Sequence, residues 1–339
     1  EITDDTNLPR IDYSPYSGAG SCGHWLFEPQ STNLIPYSED FSQSNWIKQA
    51  AVILTPNQPS PDGGNNAYKV QGTIGSSYVL DGGFGSITPQ SRSIYMRAET
   101  NGVIYSLGDG QSKQINVTTE WQRFEFQEIS NSFYAVDFRG SGVTLDNVYI
   151  WGAQLEQLSY ATSYIPTSGS TVTRLQDIAT NSGNASLINS TEGVLYAETS
   201  ALTYPTTQNN WLTITDGTAA NSVAIVFESS NAIGRIEVGG ANQAFITKTI
   251  DYSNLIKVAF KYKENDFSFW VNGVNVGSDT SGITFPLNTL NSLQFTYGAG
   301  SNKWAGKTKC VAVFKEALTD DELECLTSDE TSFSSFNAL

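Results

Sequence analysis

Acid–base and nucleophilic chemistry has few candidate residues in this chain of 339 residues. Serine–histidine, cysteine–histidine and histidine-ligated metal sites all need histidine, and His24 is the only one, beside Cys22. Glycoside hydrolysis needs two facing carboxyl groups, but the strand-like segment GRIEVGG offers Glu237 alone. The acids of TDDELE instead suit the start of a helix, where the dipole favours negative charge. No phosphate-cradling or dinucleotide fingerprint is present. The residues therefore predict a protein without catalytic activity.

Aromatic side chains are the second chemical resource, because flat rings stack on sugars while amides and carboxylates bind hydroxyl groups. Aromatic residues make up 12% of the sequence. Trp211 follows the polar run TTQNN, and Trp304 lies in the loop-like AGSNKWAG, which makes both candidates for ligand binding. Tyr78 and Phe84 flank the glycine-rich VLDGG and predict a groove there. Trp121 and Trp270, which lie on strand-like segments, are expected to pack in a core or at a sheet edge.

Charge and cysteine content limit the class of protein and its partners. The formal net charge is −16 with a sequence pI near 4.4, which argues against nucleic acid because such partners need clustered basic residues. No segment is long and apolar enough for a transmembrane helix. The three cysteines are too few for a disulfide framework; unpaired thiols are favoured, and a bridge between Cys310 and Cys325 is the alternative.

Alternating apolar and polar residues recur along both halves, as in RSIYMRAE, QRFEFQEI, SVAIVFE and IKVAFKY. Such alternation indicates strands with one packed face, and many short strands with turns between them favour β-sandwiches. VNGV predicts a two-residue hairpin whose Asn272 and Gly273 adopt positive φ. TDDELECLTS predicts one helix, capped by Thr319, with Glu322 completing a capping box and with Leu323 and Leu326 facing inward.

The stretch WGAQLEQLSYATSYIPTSGSTVTR begins as a strand and then loses any period, so it is interpreted as the exit of one sandwich followed by a connector. The predicted organisation is an extended N-terminal arm, two tandem sandwiches, the connector between them and a tail. The arm is expected to dock its Trp25, Leu26 and Phe27, since exposed apolar triplets are unfavourable. The predicted ranges are an arm at 1–34, sandwiches at 35–165 and 185–328, a connector at 166–184 and a tail at 329–339.

Several motifs of the first half occur in an order that resembles a module of bacteriophage head-spike and tail-fibre proteins. They are LPRIDY, LFEPQSTNLIPYSEDFSQSNW, SPDGGNNAYKV, TTEWQRFEF and WGAQLE followed by YATSYIPTSGSTVTR. That module is similar to jelly-roll carbohydrate-binding modules of the family 4, 9 and 22 type. The resemblance implies a jelly roll and structural Ca²⁺ at Asp146 of LDNVYI. In the related modules a Glu follows the Phe of the amino-terminal motif, whereas here Ser42 follows Phe41, and Glu39 is taken as the second ligand.

The second half, from GVLYAE to ALTDDELECLT, resembles laminin-G-like domains of the concanavalin-A type, chiefly through the FKYKENDFSFWVNGVNVGSDTSG hairpin and the terminal strand and helix. The fold class expected from both halves is all-β, with a jelly roll and a concanavalin-A-like sandwich in tandem.

Three functions follow as hypotheses. The first is a non-catalytic phage fibre or spike on the virion surface that contacts other virion proteins, forms a homo-oligomer and binds a host-surface glycan. The second is a carbohydrate-binding appendage of a secreted polysaccharide-degrading enzyme. The third is a depolymerase with a site between domains. LPRIDY and LFEPQSTN favour the first. The negative charge disfavours sulfated or uronate-rich glycans unless calcium bridges them.

Overall fold

The structure is a computed structural model that describes residues 10–12, 23–81, 87, 89–107, 113–127, 133–179, 182–201, 209–298 and 300–328. The strands of the first half are β1 Arg10–Asp12, β2 His24–Phe27, β3 Ser31–Asn33, β4 Trp46–Gln49, β5 Ile53–Gln58, β6 Ala67–Gln71, β7 Tyr78–Asp81, β8 Ser91–Arg97, β9 Gly102–Ser106, β10 Lys113–Val117, β11 Gln122–Gln127, β12 Phe133–Asp137, β13 Asn147–Glu156 and β14 Val172–Arg174.

The second half continues with β15 Glu192–Ala201, β16 Asn210–Thr215, β17 Ser222–Glu228, β18 Asn231–Val238, β19 Ala241–Thr249, β20 Ile256–Lys263, β21 Phe267–Val271, β22 Val274–Asp279, β23 Ser292–Gln294, β24 Gly306–Phe314 and the helix α1 Asp320–Thr327. The predicted all-β class is thereby confirmed, with one short helix among the described residues. No helix in the described part of the chain is long and apolar enough to cross a membrane.

The chain divides into two units by internal contacts. One, here called the continuous unit, is Gln30–Leu175; the other, the discontinuous unit, joins Glu1–Pro29 to Gln176–Leu339. The predicted arm differs from this division, because β2 pairs with β24 and so extends a sheet of the discontinuous unit. Leu26 and Phe27 are buried there as expected, whereas Trp25 is 42% exposed.

Two five-stranded sheets form the continuous unit, in the orders β10-β9-β12-β7-β4 and β11-β8-β13-β6-β5, together with the small β14-β3 pair. Their inward-facing residues make one hydrophobic core. Its largest side chains are Phe41, Trp46, Phe133 and Phe138, all fully buried. Alternation of the strand residues produces this core, because every second side chain points between the sheets.

The predicted connector differs from what the structure contains. Residues 166–175 belong to the continuous unit, where β14 pairs with β3. A bulge at Gly152, whose φ is +64°, shifts the register of β13 and precedes two buried polar residues, Gln154 and Glu156. The Gln154 side chain accepts from the Ile165 amide at 2.6 Å, and Glu156 accepts from the Thr162 amide at 2.9 Å. Buried side chains therefore hold the aperiodic stretch in place of a strand ladder.

The discontinuous unit has a seven-stranded sheet, β1-β2-β24-β15-β20-β21-β22, and a five-stranded sheet, β19-β18-β17-β16-β23. Its aromatic-rich core includes Phe227, Phe260, Phe267, Phe269 and Trp304, all almost fully buried. The segments predicted to form the hairpin and the helix both lie in this unit.

The predicted hairpin and helix are confirmed. Asn272 and Gly273 have φ values of 47° and 78° between β21 and β22. Thr319 caps α1, and its capping box with Glu322 satisfies amides that would otherwise lack partners. Leu323 packs on the outer side of the seven-stranded sheet in a cluster that includes Trp270, which explains why Trp270 points away from the main core.

Candidate functional site

The outer face of β18, in the discontinuous unit, carries charged residues that strand alternation turns away from the core. Ile236 packs in the core, and a Cβ at Gly234 would lie only 2.4 Å from the ring of Phe260. Arg235 and Glu237 alternate with these two residues along the strand and must therefore point to the opposite side of the sheet. The glycine is required here because the aromatic core approaches the strand backbone closely.

Arg235 is fixed on this face by two partners. Its guanidinium forms an ion pair with Glu237, two residues along the same strand, and its Nε donates to Oδ1 of Asn242 at 2.8 Å. Glu237 is buried, and one of its oxygens lies 3.5 Å from the hydroxyl of Tyr297. The pair is thus partly shielded from solvent, where charge-assisted hydrogen bonds are stronger than at an open surface.

Aromatic rings flank the charged pair. Trp211 on β16 packs against Tyr297 with ring centroids 4.2 Å apart, and the Arg235 Cζ lies 5.4 Å from the Trp211 ring. Phe245 on β19 is directly opposite Arg235 in the antiparallel register, so the two side chains share a face, and Phe245 is 51% exposed. The term Phe245 face is used below for Trp211, Arg235, Glu237, Asn242, Phe245 and Tyr297.

This arrangement can bind a ring compound that has an apolar side and several hydroxyl groups. Phe245 offers an exposed ring for stacking, while Asn242, Glu237 and Arg235 offer amide, carboxylate and guanidinium groups beside it. Among the residues that the structure describes, the Nε1 atom of Trp211 has no hydrogen-bond acceptor. That atom is buried, so it lies beneath the face and is not a contact for a ligand.

The two tryptophans predicted to bind ligand have different positions from those expected. Trp304 is 1% exposed and packs edge-on against Phe227 at 5.4 Å, so it is a core residue and not a loop-exposed one. The polar neighbours of Trp304 misled the sequence prediction, because they describe the loop backbone, whereas the indole packs inward against Phe227 and Phe295. Trp211 lies on the Phe245 face, but it is only 5% exposed. It therefore supports the face from beneath and does not present a free ring.

Tyr78, the third predicted ligand residue, lies in the continuous unit under an arginine. The Arg139 Cζ is 3.8 Å from the Tyr78 ring centroid and 5.0 Å from that of Tyr134. Asp137 accepts from Arg139 Nε at 2.8 Å and from Nη2 at 2.7 Å. These four residues are called the Arg139 cluster. Phe84, proposed with Tyr78, lies outside the described residues.

Glu39 and Asp146, the predicted calcium ligands, are not brought together. Glu39 accepts a hydrogen bond from Asn66, just before β6, and one from the Tyr164 hydroxyl. Asp146 is exposed, and its carbonyl accepts from Gly72, just after β6. The two acids therefore mark opposite ends of one strand, about 20 Å apart at roughly 3.3 Å per residue. Within the described ranges no group of three or more His, Cys, Asp and Glu residues forms a potential metal site.

The structure contains the unpaired thiols and not the bridge between Cys310 and Cys325. Cys310 is half-buried and Cys325 is exposed, and both are free thiols. Burial raises the pKa of the Cys310 thiol, with the Glu198 carboxylate adding to the rise. A thiol of this kind is less nucleophilic at neutral pH than an ordinary one. Cys22 lies outside the described residues.

Sequence reasoning missed Phe245, Arg235 and Asn242 as members of one face. The prediction from GRIEVGG concerns only its single carboxylate, Glu237, and leaves out the adjoining ANQAFITKT, which is its partner strand. The period-two pattern over both segments, with GG as the turn, was the available signal. It predicts a hairpin in which Arg235 and Phe245 face the same way.

Comparison with known proteins identifies part of the chain. Residues 198–324 match the family model Laminin_G_3, described as the concanavalin A-like lectin/glucanases superfamily, and this range contains the whole Phe245 face. These residues of the discontinuous unit are therefore similar to concanavalin A-like domains, in agreement with the resemblance noted for the second half. The comparison with curated proteins finds no match.

Three solved structures are similar at low scores. The CBM40 of Ruminococcus gnavus IT-sialidase bound to alpha2,3 sialyllactose is 14% identical, with a TM-score of 0.35, over 41% of this chain and 84% of that one. Domain 4 of AbnA, a GH43 extracellular arabinanase from Geobacillus stearothermophilus in complex with arabinotriose, is 8% identical with a TM-score of 0.28, over 89% and 100%. Mouse laminin alpha1 chain domains LG4-5 are 9% identical with a TM-score of 0.29, over 92% and 93%. What those proteins bind is a property of those proteins.

Proposed function

We propose that the chain is a non-catalytic, lectin-like protein that binds a glycan through the Phe245 face. The observation that carries this proposal is the half-exposed ring of Phe245 directly opposite Arg235, whose partners Glu237 and Asn242 are hydrogen-bonded in place. An apolar ring beside preorganised polar groups matches the two kinds of surface that a sugar presents. The family match over the same residues supports a lectin-like role.

The absence of catalysis is part of the proposal. Glu237 is engaged by Arg235 and lies near the Tyr297 hydroxyl, so it is placed to hold an arginine and not to exchange a proton with a substrate. A glycosidase would need a second carboxyl group across the scissile bond, about 5–10 Å away. Incubation with neutral and acidic polysaccharides is expected to release no new reducing ends and no unsaturated products. Turnover abolished by Glu237→Gln would contradict this part of the proposal.

Binding at such a shallow face is expected to be weak for one chain and strengthened by multiple copies. Display of several copies raises avidity by roughly 10²–10⁴ without any new contact. The test is therefore a glycan array probed with an artificially oligomerised form of the chain. Phe245→Ala is expected to lose about 1–2 kcal/mol of binding free energy per site, which is roughly a 5–30-fold weaker affinity.

Val274→Ala is the matched control for that experiment. Val274 is 59% exposed on the hairpin strand β22, in the other sheet of the same unit, so its truncation also removes exposed apolar surface. Binding should survive this change. Equal loss in both variants, or unchanged binding of Phe245→Ala to every glycan that the parent binds, would contradict the assigned face.

We propose further that the protein serves on a phage virion as a spike or fibre that attaches to host glycan. The ordered motifs of the first half, especially LPRIDY and LFEPQSTN, support this assignment. An appendage of a secreted polysaccharide-degrading enzyme is the alternative. Neighbouring genes for capsid and portal proteins would support the virion role, and neighbouring glycoside hydrolase genes would contradict it.

A further inference from the structure

A second charged and aromatic surface lies in the continuous unit, outside the residues matched by the family. Arg97 ends β8, and its register partner on β13 is Tyr149, which in turn faces Lys69 on β6. These three side chains form a row across neighbouring strands on one face of the sheet. Trp121 immediately precedes β11, the strand on the other side of β8, and is half-buried.

Arg97 is held flat by these rings. Its Cζ lies 3.9 Å from the Tyr149 ring centroid and 5.5 Å from that of Trp121. Stacking uses the faces of the guanidinium and leaves its N–H groups, which point outward in the plane, available for acceptors. In the part of the chain that the structure describes, Arg97 makes no hydrogen bond and no ion pair. The residues Arg97, Tyr149, Trp121 and Lys69 are called the Arg97 cluster.

The Arg139 cluster of the same unit supplies the informative contrast. Arg139 contacts two tyrosine rings at similar distances, 3.8 and 5.0 Å, but both of its donor edges are occupied by Asp137. Arg123 likewise pairs with Glu125 at 2.9 Å. Arg97 is stacked on aromatic rings as Arg139 is, but among the described residues no carboxylate accepts from its guanidinium N–H groups. A guanidinium fork of this kind matches two carboxylate oxygens.

The other charges at the Arg97 cluster leave it positive. Glu99 accepts from Lys69 Nζ at 2.6 Å and from the Tyr149 hydroxyl at 2.9 Å, so this carboxylate is already occupied. The hydrogen bond from Lys69, followed by that from Tyr149, holds the pKa of Glu99 below its usual range. Asp146 adds a weaker attraction to Lys69. Lys69 offsets Glu99, and Arg97 contributes only the weakest of the attractions that lower the pKa of Glu99 and forms no ion pair of its own in the described chain.

We propose that the Arg97 cluster binds the carboxylate of an acidic saccharide. Arg97 binds the two carboxylate oxygens in a bidentate manner, and the half-buried indole of Trp121 packs against the sugar ring beside it. The site is separate from the Phe245 face, so it does not depend on glycan binding there. The continuous unit also tolerates an anion better than the whole-chain charge indicates. It contains 8 Lys and Arg against 12 Asp and Glu, a net −4, which leaves −12 of the total −16 to the other unit.

The test measures affinity of the intact chain for three probes by calorimetry at low salt. The probes are an oligogalacturonate, which carries sugar carboxylates, neutral lactose, and inorganic phosphate as an anion without a sugar. The oligogalacturonate is expected to bind, and Arg97→Gln is expected to weaken it at least tenfold. Arg97→Lys should also weaken it severalfold, because an ammonium keeps the charge and loses the fork. Trp121→Ala should weaken oligogalacturonate binding and leave any phosphate affinity unchanged.

Arg139→Lys is the matched control, since it alters the other stacked arginine of this unit, whose fork is filled by Asp137. It should leave the affinity within twofold, as should Phe245→Ala, and every variant should remain folded at the temperature of the assay. Three results would overturn the proposal: unchanged oligogalacturonate affinity in Arg97→Gln, equal affinity for lactose, or phosphate binding as tightly as the oligogalacturonate. Loss of binding in Phe245→Ala with Arg97→Gln unaffected would overturn it while sustaining the other site.

Discussion

The two units pack a hydrophobic core between two sheets in the same way but cover the remaining surface differently. The discontinuous unit adds apolar elements: β2 extends the seven-stranded sheet, and α1 seals its outer side through Leu323 and Trp270. In the continuous unit, polar residues in the interior hold the aperiodic stretch. Glu156, Gln154, Asn33 and Arg92 are essentially fully buried and bond to loop backbone or to each other.

These buried polar bonds explain how the continuous unit can hold its long aperiodic stretch. Apolar packing is non-directional and tolerates sliding, whereas buried hydrogen bonds are directional and specify one path for the chain. Residues 157–171 contain few hydrophobic anchors, chiefly Ile165 and the Tyr164 ring on Trp151, so directional bonds supply much of their order. The cost is vulnerability, because each buried polar partner must be present.

Removing a buried apolar side chain of the discontinuous unit should cause the largest loss of stability, and this loss should be confined to that unit. Trp304→Ala deletes a fully buried indole that contacts Phe227 and Phe295, and large-to-small aromatic changes of this kind cost about 3–5 kcal/mol. Hydrogen exchange measured by mass spectrometry should accelerate in peptides from 209–298 and 300–328. Peptides from 133–175 should exchange as in the parent.

The control for that experiment is Leu287→Ala, which truncates a side chain of the same unit that is 74% exposed. Its exchange pattern should not change, since exposed side chains contribute little to stability. Equally faster hydrogen exchange in both units after Trp304→Ala would contradict this prediction, because it would show that the two units unfold together.

Removing a buried acceptor should give a smaller but complementary effect in the continuous unit. Glu156→Ala leaves the Ser31 hydroxyl, the Thr162 amide and the Gln154 amide without their shared acceptor. A buried donor without a partner costs about 1–3 kcal/mol. Exchange should accelerate first in peptides that cover 157–171 and leave the discontinuous unit unchanged.

Glu156→Gln sharpens the same comparison, because the glutamine keeps the shape and one acceptor oxygen. It should destabilise less than the alanine variant. Glu125→Ala removes a half-exposed acid paired with Arg123 and should cost under about 1 kcal/mol. If Glu156→Ala proved as mild as Glu125→Ala, the buried network would not be what orders the stretch.

Much of the fold could be predicted from the sequence because its signals are local. Period-two alternation located the strands, Asn272 and Gly273 marked a turn, and the Thr319–Glu322 box marked the helix start. The role of 166–175 could not be predicted, since its β14 pairs with the distant β3 after Gln154 and Glu156, turned inward at a bulge, have fixed residues 162–165. The inward orientation of these two side chains depends on tertiary contacts and leaves no periodic pattern in the sequence.

The candidate site was less predictable for a related reason. Polar flanks suggested that Trp304 and Trp211 were loop residues, but flanking polarity reports on the backbone nearby and not on where an indole points. Arg97 and Arg139 have similar sequence contexts: both end strand-like segments rich in aromatics, and each has an acid two residues away, Glu99 or Asp137. Only the position of Asp137 separates a self-satisfied arginine from one with open donors.

The smallest predicted effect concerns pH and again belongs to the continuous unit. Asp40 lies three residues after Tyr37, which pairs with Ser168, and its carboxylate accepts from Ser42 and Gln43 in the turn before β4. Its burial alone would raise its pKa, but hydrogen bonds from Gln43, Ser42 and Tyr68 outweigh burial and lower the pKa from 3.8 to about 2. Because the folded-state pKa is below the unfolded value, this carboxylate stabilises the fold above pH about 4.

That contribution is expected to disappear as the pH falls from about 4 to about 2, through the folded-state pKa. The direction is fixed by linkage: the unfolded chain binds the proton more tightly, so acid favours unfolding. The measurement is urea unfolding followed between pH 5 and pH 2 in the parent and in Asp40→Asn. The variant should be less stable at pH 5 and should converge on the parent near pH 2. Asp251→Asn, an exposed acid of the discontinuous unit with hydrogen bonds from Ser253 and Asn254, serves as the control and should leave the continuous unit's pH profile unaltered. A parent and Asp40→Asn that differ by the same amount at both pH values would mean that Asp40 acts through packing, and the polar closure of this unit would then rest on Glu156 and Gln154 alone.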